Sequence, residues 1–260
     1  MQVNPIREYK KVISDICNIR ATIPTDTSPH PHILYPVDIS FDAQYNETYL
    51  HYSVSGDGMT LRDFINCPRN KLRATIFNTL HRFRPIDIIL QLIDTYEFML
   101  ANDRMVGQSN VNPVSIWIVR NSSSCEVKVY VMDTLETTID HRYRIVDHNK
   151  QYWSTEYIRE YTSIHYYNTD LTRKPTLTRF DTKPTPISIV YSLGLILYFI
   201  VYHCDPYPDG RIHAEDRPLL TTHLNDRYIH SATEPDRRKR PTLREWKDSL
   251  LKPEHKCSVM

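Results

Sequence analysis

One run constrains this chain more than any other. From Ile189 to Cys204, IVYSLGLILYFIVYHC holds no Asp, Glu, Lys or Arg. A helix that is apolar all round has no face to offer water, so it must be covered by lipid or by other elements. Its sixteen residues fall short of the roughly 20 that span a bilayer as a helix, and Ser192 interrupts the run. The run is expected to be a central, buried helix. A chain of 260 residues, 40% hydrophobic and 24% charged, can supply the shell around it. That length suits one large domain or two small lobes. The net charge of +1 gives no overall field toward nucleic acid or an acidic partner.

Glycine is scarce, with five in the chain and none before Gly56. The five cysteines (Cys17, Cys67, Cys125, Cys204, Cys257) are odd in number and lack CxxC spacing. The N-terminus is mixed in charge and polarity from Arg7 to Lys11, so it does not read as a signal peptide. Free thiols in a reducing, intracellular and cytoplasmic setting are expected.

Along the chain, Ile6, Tyr9, Ile13, Ile16 and Arg20 recur at helical spacing, and the stretch Pro24 to Pro31 ends that helix. HILYPVDIS and TYLHYSVS read as two strands, the second broken by Gly56 and Gly58. MTLRDFI follows as a short helix. Pro85 to Ala101 predicts a long helix with Pro85 in its first turn and Ile86, Ile89, Leu90, Ile93 and Leu100 on one face. VSIWIV and EVKVYVM are expected as strands joined by the polar turn Asn121 to Ser124. The apolar helix starts at Ile187, after a loop that runs to Pro186. The last helix opens on the capping box Thr242-x-x-Glu245.

Four stretches, in this order, carry a resemblance to the eukaryotic protein kinases. HPHIL (His30 to Leu34) resembles the HPNIV strand, and YLHYSVSGDGMTLRDFI resembles the strand, hinge and following helix. IVYSLGLILYFIVYHCDPYPDG is similar to DVWSFGVILYELLTGxxPFPG, and DRRKRPTLREW is similar to DPxxRPTxxEL. Together they cover about 220 residues. The resemblance implies an α+β, protein kinase-like fold with a mostly helical C-lobe and a reduced N-lobe. The division it implies is 1–58 for the reduced N-lobe and hinge, 59–251 for the C-lobe, and 252–260 for a C-terminal tail.

Set against HRDLKPENILL, the segment QSNVNPVSIWI puts Asn110 at the base aspartate, Asn112 at the lysine and Ser115 at the metal-binding asparagine. A kinase base accepts a hydrogen bond from the substrate hydroxyl and finally its proton. An amide takes no proton at useful pH, and loss of such a group costs about 10²–10⁴ in rate. Ser115 offers a short hydroxyl where Mg²⁺ expects a carbonyl oxygen. Asp133 stands near the DFG aspartate, although the strand register could put Met132 there instead. Ile189 replaces the aspartate of DVWS. Five residues precede the first helix, too few for a glycine-rich loop and its strands. No cofactor is expected, and the catalytic loop is expected to be a relic.

Other features of the resemblance are retained. WSTEYIRE resembles the APE segment, and Arg240 matches the arginine that pairs with its glutamate, so Glu156 and Arg240 are expected to form a buried bidentate ion pair. In RRKR (Arg237 to Arg240), with one arginine assigned inward, a loop is preferred to a nuclear signal or anion patch. His30 and His32 lack a nearby carboxylate or cysteine and read as turn residues. The eighteen tyrosines fit a sticky surface or half-buried core positions equally well. The ending KCSVM has the form of a prenylation box at Cys257, and a single chain there implies only weak, reversible membrane association.

The expected function is that of an inactive pseudokinase, a scaffold or regulator that binds another protein, such as a kinase or a kinase substrate, and not nucleic acid. The alternatives are a divergent phosphotransferase that keeps Asp133 as metal ligand, and a decoy that blocks an active kinase.

Overall fold

The computed structural model describes residues 32–34, 36–42, 47–52, 57–66, 84–102, 111–120, 127–132, 151–159, 184–207, 216–221 and 223–252. They belong to two compact units that interleave along the chain. The first holds the described residues from 32 to 66 and from 113 to 132, and the second holds 84–112, 151–159 and 184–252. Together they make a mixed α+β protein. The helix expected over Ile6 to Arg20, the histidine His30 and the tail with Cys257 lie outside the described residues.

The first unit is built on strands: β1 (Ile33–Leu34), β2 (Pro36–Asp42), β3 (Glu47–Tyr52), β4 (Asp57–Thr60), β5 (Ile116–Arg120) and β6 (Val127–Met132), with one short helix, α1 (Leu61–Asn66). The order β1-β6-β5-β4 forms a four-stranded sheet, while β2 and β3 pair by themselves. β5 and β6 are antiparallel, with Trp117 opposite Tyr130 and Ile118 opposite Val129. Period-two alternation buries Ile116, Ile118, Val129 and Val131 and leaves Trp117 and Tyr130 half-buried. β1 joins β6 in parallel, Ile33 beside Val131. His32, at the turn before β1, donates from Nδ1 to the Val129 carbonyl at 2.8 Å.

Gly56 and Gly58 were expected to break the second strand, with MTLRDFI following as a helix. β3 ends at Tyr52, and Gly56 lies outside the described residues. Gly58, Met59 and Thr60, however, belong to a further strand, β4, which pairs with β5, Gly58 opposite Val119. A side chain at Gly58 would place its Cβ 3.0 Å from Val119 Cγ2. Glycine at this position permits close approach to the next strand. Thr60 then caps α1, its hydroxyl accepting from the Asp63 amide at 3.0 Å. Leu61, Phe64 and Ile65 form the buried side of that helix.

The second unit contains α2 (Pro85–Ala101), α3 (Pro186–Tyr202), α4 (Asp226–Ala232) and α5 (Leu243–Leu251). A helical turn covers residues 155–159. α3 is the apolar run, and its thirteen residues from Ser188 to Ile200 are all buried. It packs against α2, α4 and α5. Among the described residues no helix is long and apolar enough to cross a membrane. Thr185 caps the start of α3, and His203 ends it in the left-handed conformation at φ 57°. α2 starts with proline as expected. Its core face is displaced from the predicted one: Ile88, Ile89, Leu92, Ile93, Tyr96 and Met99 are buried, while Ile86, Leu90 and Leu100 are only half-buried. Aromatic groups supply much of this core. Tyr96, Tyr152, Tyr191, Tyr198, Tyr207 and Tyr228 are buried, so these six tyrosines are core positions. Trp246 is fully buried and donates from its indole to the Tyr228 carbonyl at 3.2 Å.

Candidate functional site

A densely bonded polar group of the second unit is Arg240, whose side chain is 0% exposed. Two capped elements hold it there. On its C-terminal side Thr242 accepts from the Glu245 amide, and the Glu245 carboxylate accepts from the Thr242 amide. That capping box fixes where α5 begins. On its N-terminal side the turn 236–239 is closed by the Lys239 amide, which donates to the Asp236 carbonyl at 3.0 Å, and by the Arg238 amide on Asp236 Oδ1. The chain between these ties points Arg240 inward and leaves Arg237, Arg238 and Lys239 exposed.

A guanidinium group has five N–H donors and no acceptor. All five are used. Nε donates to the Glu234 carbonyl at 3.0 Å. Nη1 donates to Glu156 Oε1 at 2.9 Å and to the Ile187 carbonyl at 3.0 Å. Nη2 donates to Thr155 Oγ1 at 3.2 Å and to Glu156 Oε2 at 3.3 Å. The Tyr191 ring lies 4.7 Å from the guanidinium carbon, a cation–π contact from α3. One side chain therefore ties the helical turn 155–159, the start of α3, the end of α4 and the entry to α5.

Glu156 is the anionic half, 25% exposed. Burial pushes its carboxyl up, but hydrogen bonds and charge from Arg240, with help from the Thr155 hydroxyl, overcome this and hold it below the usual carboxylate range. The Thr155 hydroxyl lies 2.7 Å from Glu156 Oε2 and 3.2 Å from the Pro235 carbonyl. Trp153 stacks edge-on against Tyr157 at 4.9 Å and is buried at the base of the same turn.

Above this anchor an open cleft of about 660 Å³ runs between the turn and the loop that follows α4. Glu234 on its wall accepts from Arg217 Nη2 at 2.8 Å and from the Asp236 amide at 3.3 Å. Burial pushes the Glu234 carboxyl up, and those two bonds bring it below its ordinary value. Arg217 also donates from Nη1 to His230 Nε2 at 2.9 Å. Arg159, Arg237 and Arg238 complete the basic lining.

Of the positions singled out in the sequence, the described residues bring Glu156 and Arg240 together. Asn112 is 1% exposed and belongs to the second unit, whereas Ser115 is half-buried in the first, its carbonyl accepting from the Met132 amide at 2.9 Å. Asn110, Asp133 and Cys257 lie outside the described residues. Thr155, Tyr191 and Glu234 were not foreseen as members of the anchor. Thr155 directly precedes Glu156, but a threonine in that place carries no signal of its own. No protein-family model and no curated protein matches this chain, which leaves the quoted motifs and the Arg240 anchor as the observations that bear on function.

Proposed function

We propose that the chain is a catalytically inactive relative of the protein kinases, working as a protein-binding scaffold or regulator. The observation that carries this reading is the Arg240 anchor. Five satisfied donors and a bidentate carboxylate clamp the WSTEYIRE turn to the helical core. The motif resemblance assigns that role to the same two residues. Chemistry is given up at the positions aligned with the base and the metal ligand, where Asn110 cannot take a proton and Ser115 offers only a short hydroxyl. A shape kept by a costly buried ion pair, in a sequence whose catalytic-loop motif lacks its acid–base groups, fits a protein whose surface is its function. Its partner would be another protein, a kinase or a kinase substrate.

Titration with ATP and Mg²⁺, followed by thermal unfolding, tests the inactive reading. A nucleotide at 100 times its Kd adds about 2.7 kcal/mol to stability. No shift is expected. A shift that disappears in Asp133→Ala would replace the scaffold with a divergent phosphotransferase. Native affinity capture tests the other half, and recovery of no stoichiometric protein partner would count against it.

A further inference from the structure

The cleft above the anchor is lined by four arginines and three carboxylates, and two of those carboxylates, Glu156 and Glu234, are already paired with arginines. Both oxygens of Glu156 are held by Arg240. Glu234 is taken by Arg217 and the Asp236 amide, and Asp236 Oδ1 by the Arg238 amide. Among the described residues no carboxylate is paired with the guanidinium of Arg237 or Arg238, and both side chains are exposed at the cleft. The cleft therefore presents outward two unspent guanidinium groups against one exposed carboxylate, that of Asp236. The backbone bearing the two arginines is fixed at both ends, by the turn bonds at Asp236 and by the buried Arg240, so a ligand has to order the two side chains but not the loop.

We infer that this cleft binds an anionic segment of a protein partner, its charge supplied by a phosphate monoester or by a run of carboxylates, with Arg237 and Arg238 as the receiving groups. Guanidinium groups pair with either kind of oxyanion through paired N–H donors. A volume of about 660 Å³ lies within the ordinary range of ligand sites and exceeds what a lone ion needs. The inference deepens the scaffold proposal and rests on it only in taking the ligand to be part of a protein. Failure of peptides to bind removes the cleft, whereas failure of affinity capture removes the scaffold.

The test is fluorescence anisotropy on the full chain with four labelled probes. These are an alanine–glycine peptide with one phosphoserine, the same peptide with a run of glutamates, its neutral serine version, and a single-stranded DNA oligonucleotide. One of the two anionic peptides should bind at least about tenfold tighter than the neutral one, and the tighter of them identifies the source of charge. Arg237→Glu with Arg238→Glu should weaken that binding by at least about tenfold, while Lys252→Glu, outside the cleft, should change it by less than about twofold. Arg237→Gln with Arg238→Gln gives the same comparison should the double reversal fail to fold. The inference is overturned by equal binding of charged and neutral peptides, by an unaffected double variant, by an equal loss in Lys252→Glu, or by DNA binding as tight as the peptides.

Discussion

Truncating Arg240 to alanine removes five hydrogen bonds and strands Glu156 in a site built to hold it ionised. Breaking a buried pair from one side costs about 3–5 kcal/mol, because the remaining charge loses its partner without regaining water. Glu156 keeps 25% of its side chain exposed, so some solvation returns, and the lower end, about 3 kcal/mol, is expected. Against a total stability of about 5–15 kcal/mol this is a large fraction. In urea denaturation, with m of about 1–3 kcal/mol/M, the midpoint should fall by about 1–3 M. The pH dependence follows from the depressed Glu156 carboxyl. A group whose folded pKa lies below its unfolded value, about 4.3 for Glu, contributes stability above that value and loses it as pH falls through the folded pKa. In the variant, burial is the largest remaining influence and pushes the carboxyl up, so the stranded charge takes a proton at higher pH. The difference between the two proteins should therefore be greatest near neutral pH and shrink as pH falls toward about 4. Removing both charges, as Arg240→Met with Glu156→Leu, should cost less than Arg240→Ala alone. A single-variant cost below about 1 kcal/mol, or one that does not change with pH, would refute the anchor as described.

Two further changes probe the helical core. Gly194→Ala would set a Cβ 2.6 Å from the Ala232 Cβ and 3.0 Å from Thr233 Cγ2. Overpacking of about 1–3 kcal/mol should outweigh the roughly 1 kcal/mol that alanine gains over glycine in a helix, since the obstructing Cβ is fixed to the α4 backbone and cannot rotate away; a raised melting temperature would sink this. Lys247 of α5 pairs with Asp94 and Glu97 of α2, but Asp94 is 53% exposed, so Lys247→Ala should cost only about 0.2–1 kcal/mol. Most of that difference should vanish at about 1 M salt, where the screening length is about 3 Å, and a salt-independent loss would point to packing by the lysine stem instead.

What could be read in advance was local. The apolar run announces α3, Pro85 marks the start of α2, and Thr242 with Glu245 marks the start of α5, because each signal lies within one turn of the structure it sets. Strand β4 was missed because glycine weakens a strand in isolation, while the reason for Gly58 lies across the sheet, in Val119. The parallel pairing of Ile33 with Val131 spans most of the first unit and has no short-range mark. On α2 the periodicity was visible but its phase was not. Tyr96 and Met99 complete the buried stripe, and the packing of α3 and α5 against α2 decides between neighbouring registers. Nothing local links Glu156 to Arg240, 84 residues apart; motif resemblance alone suggests the pairing. The cleft was least legible of all, for its lining comes from three separated stretches, and a run such as RRKR does not say which of its four cations turns inward.

That division of RRKR joins stability to binding. Arg240 faces the core and spends every donor there, while Arg237 and Arg238, three and two residues earlier, face the cleft. The two sets share a wall. Glu156 and Glu234 line the cleft, and both take part in the anchor, Glu156 through its carboxylate and Glu234 through its carbonyl. Were Arg240 absent, the Glu156 carboxylate would stand unneutralised beneath the same space and would repel any incoming anion. The buried arginine thus does more than hold the turn in place. By neutralising the carboxylate beneath the cleft, it leaves the surface guanidinium groups available to a ligand.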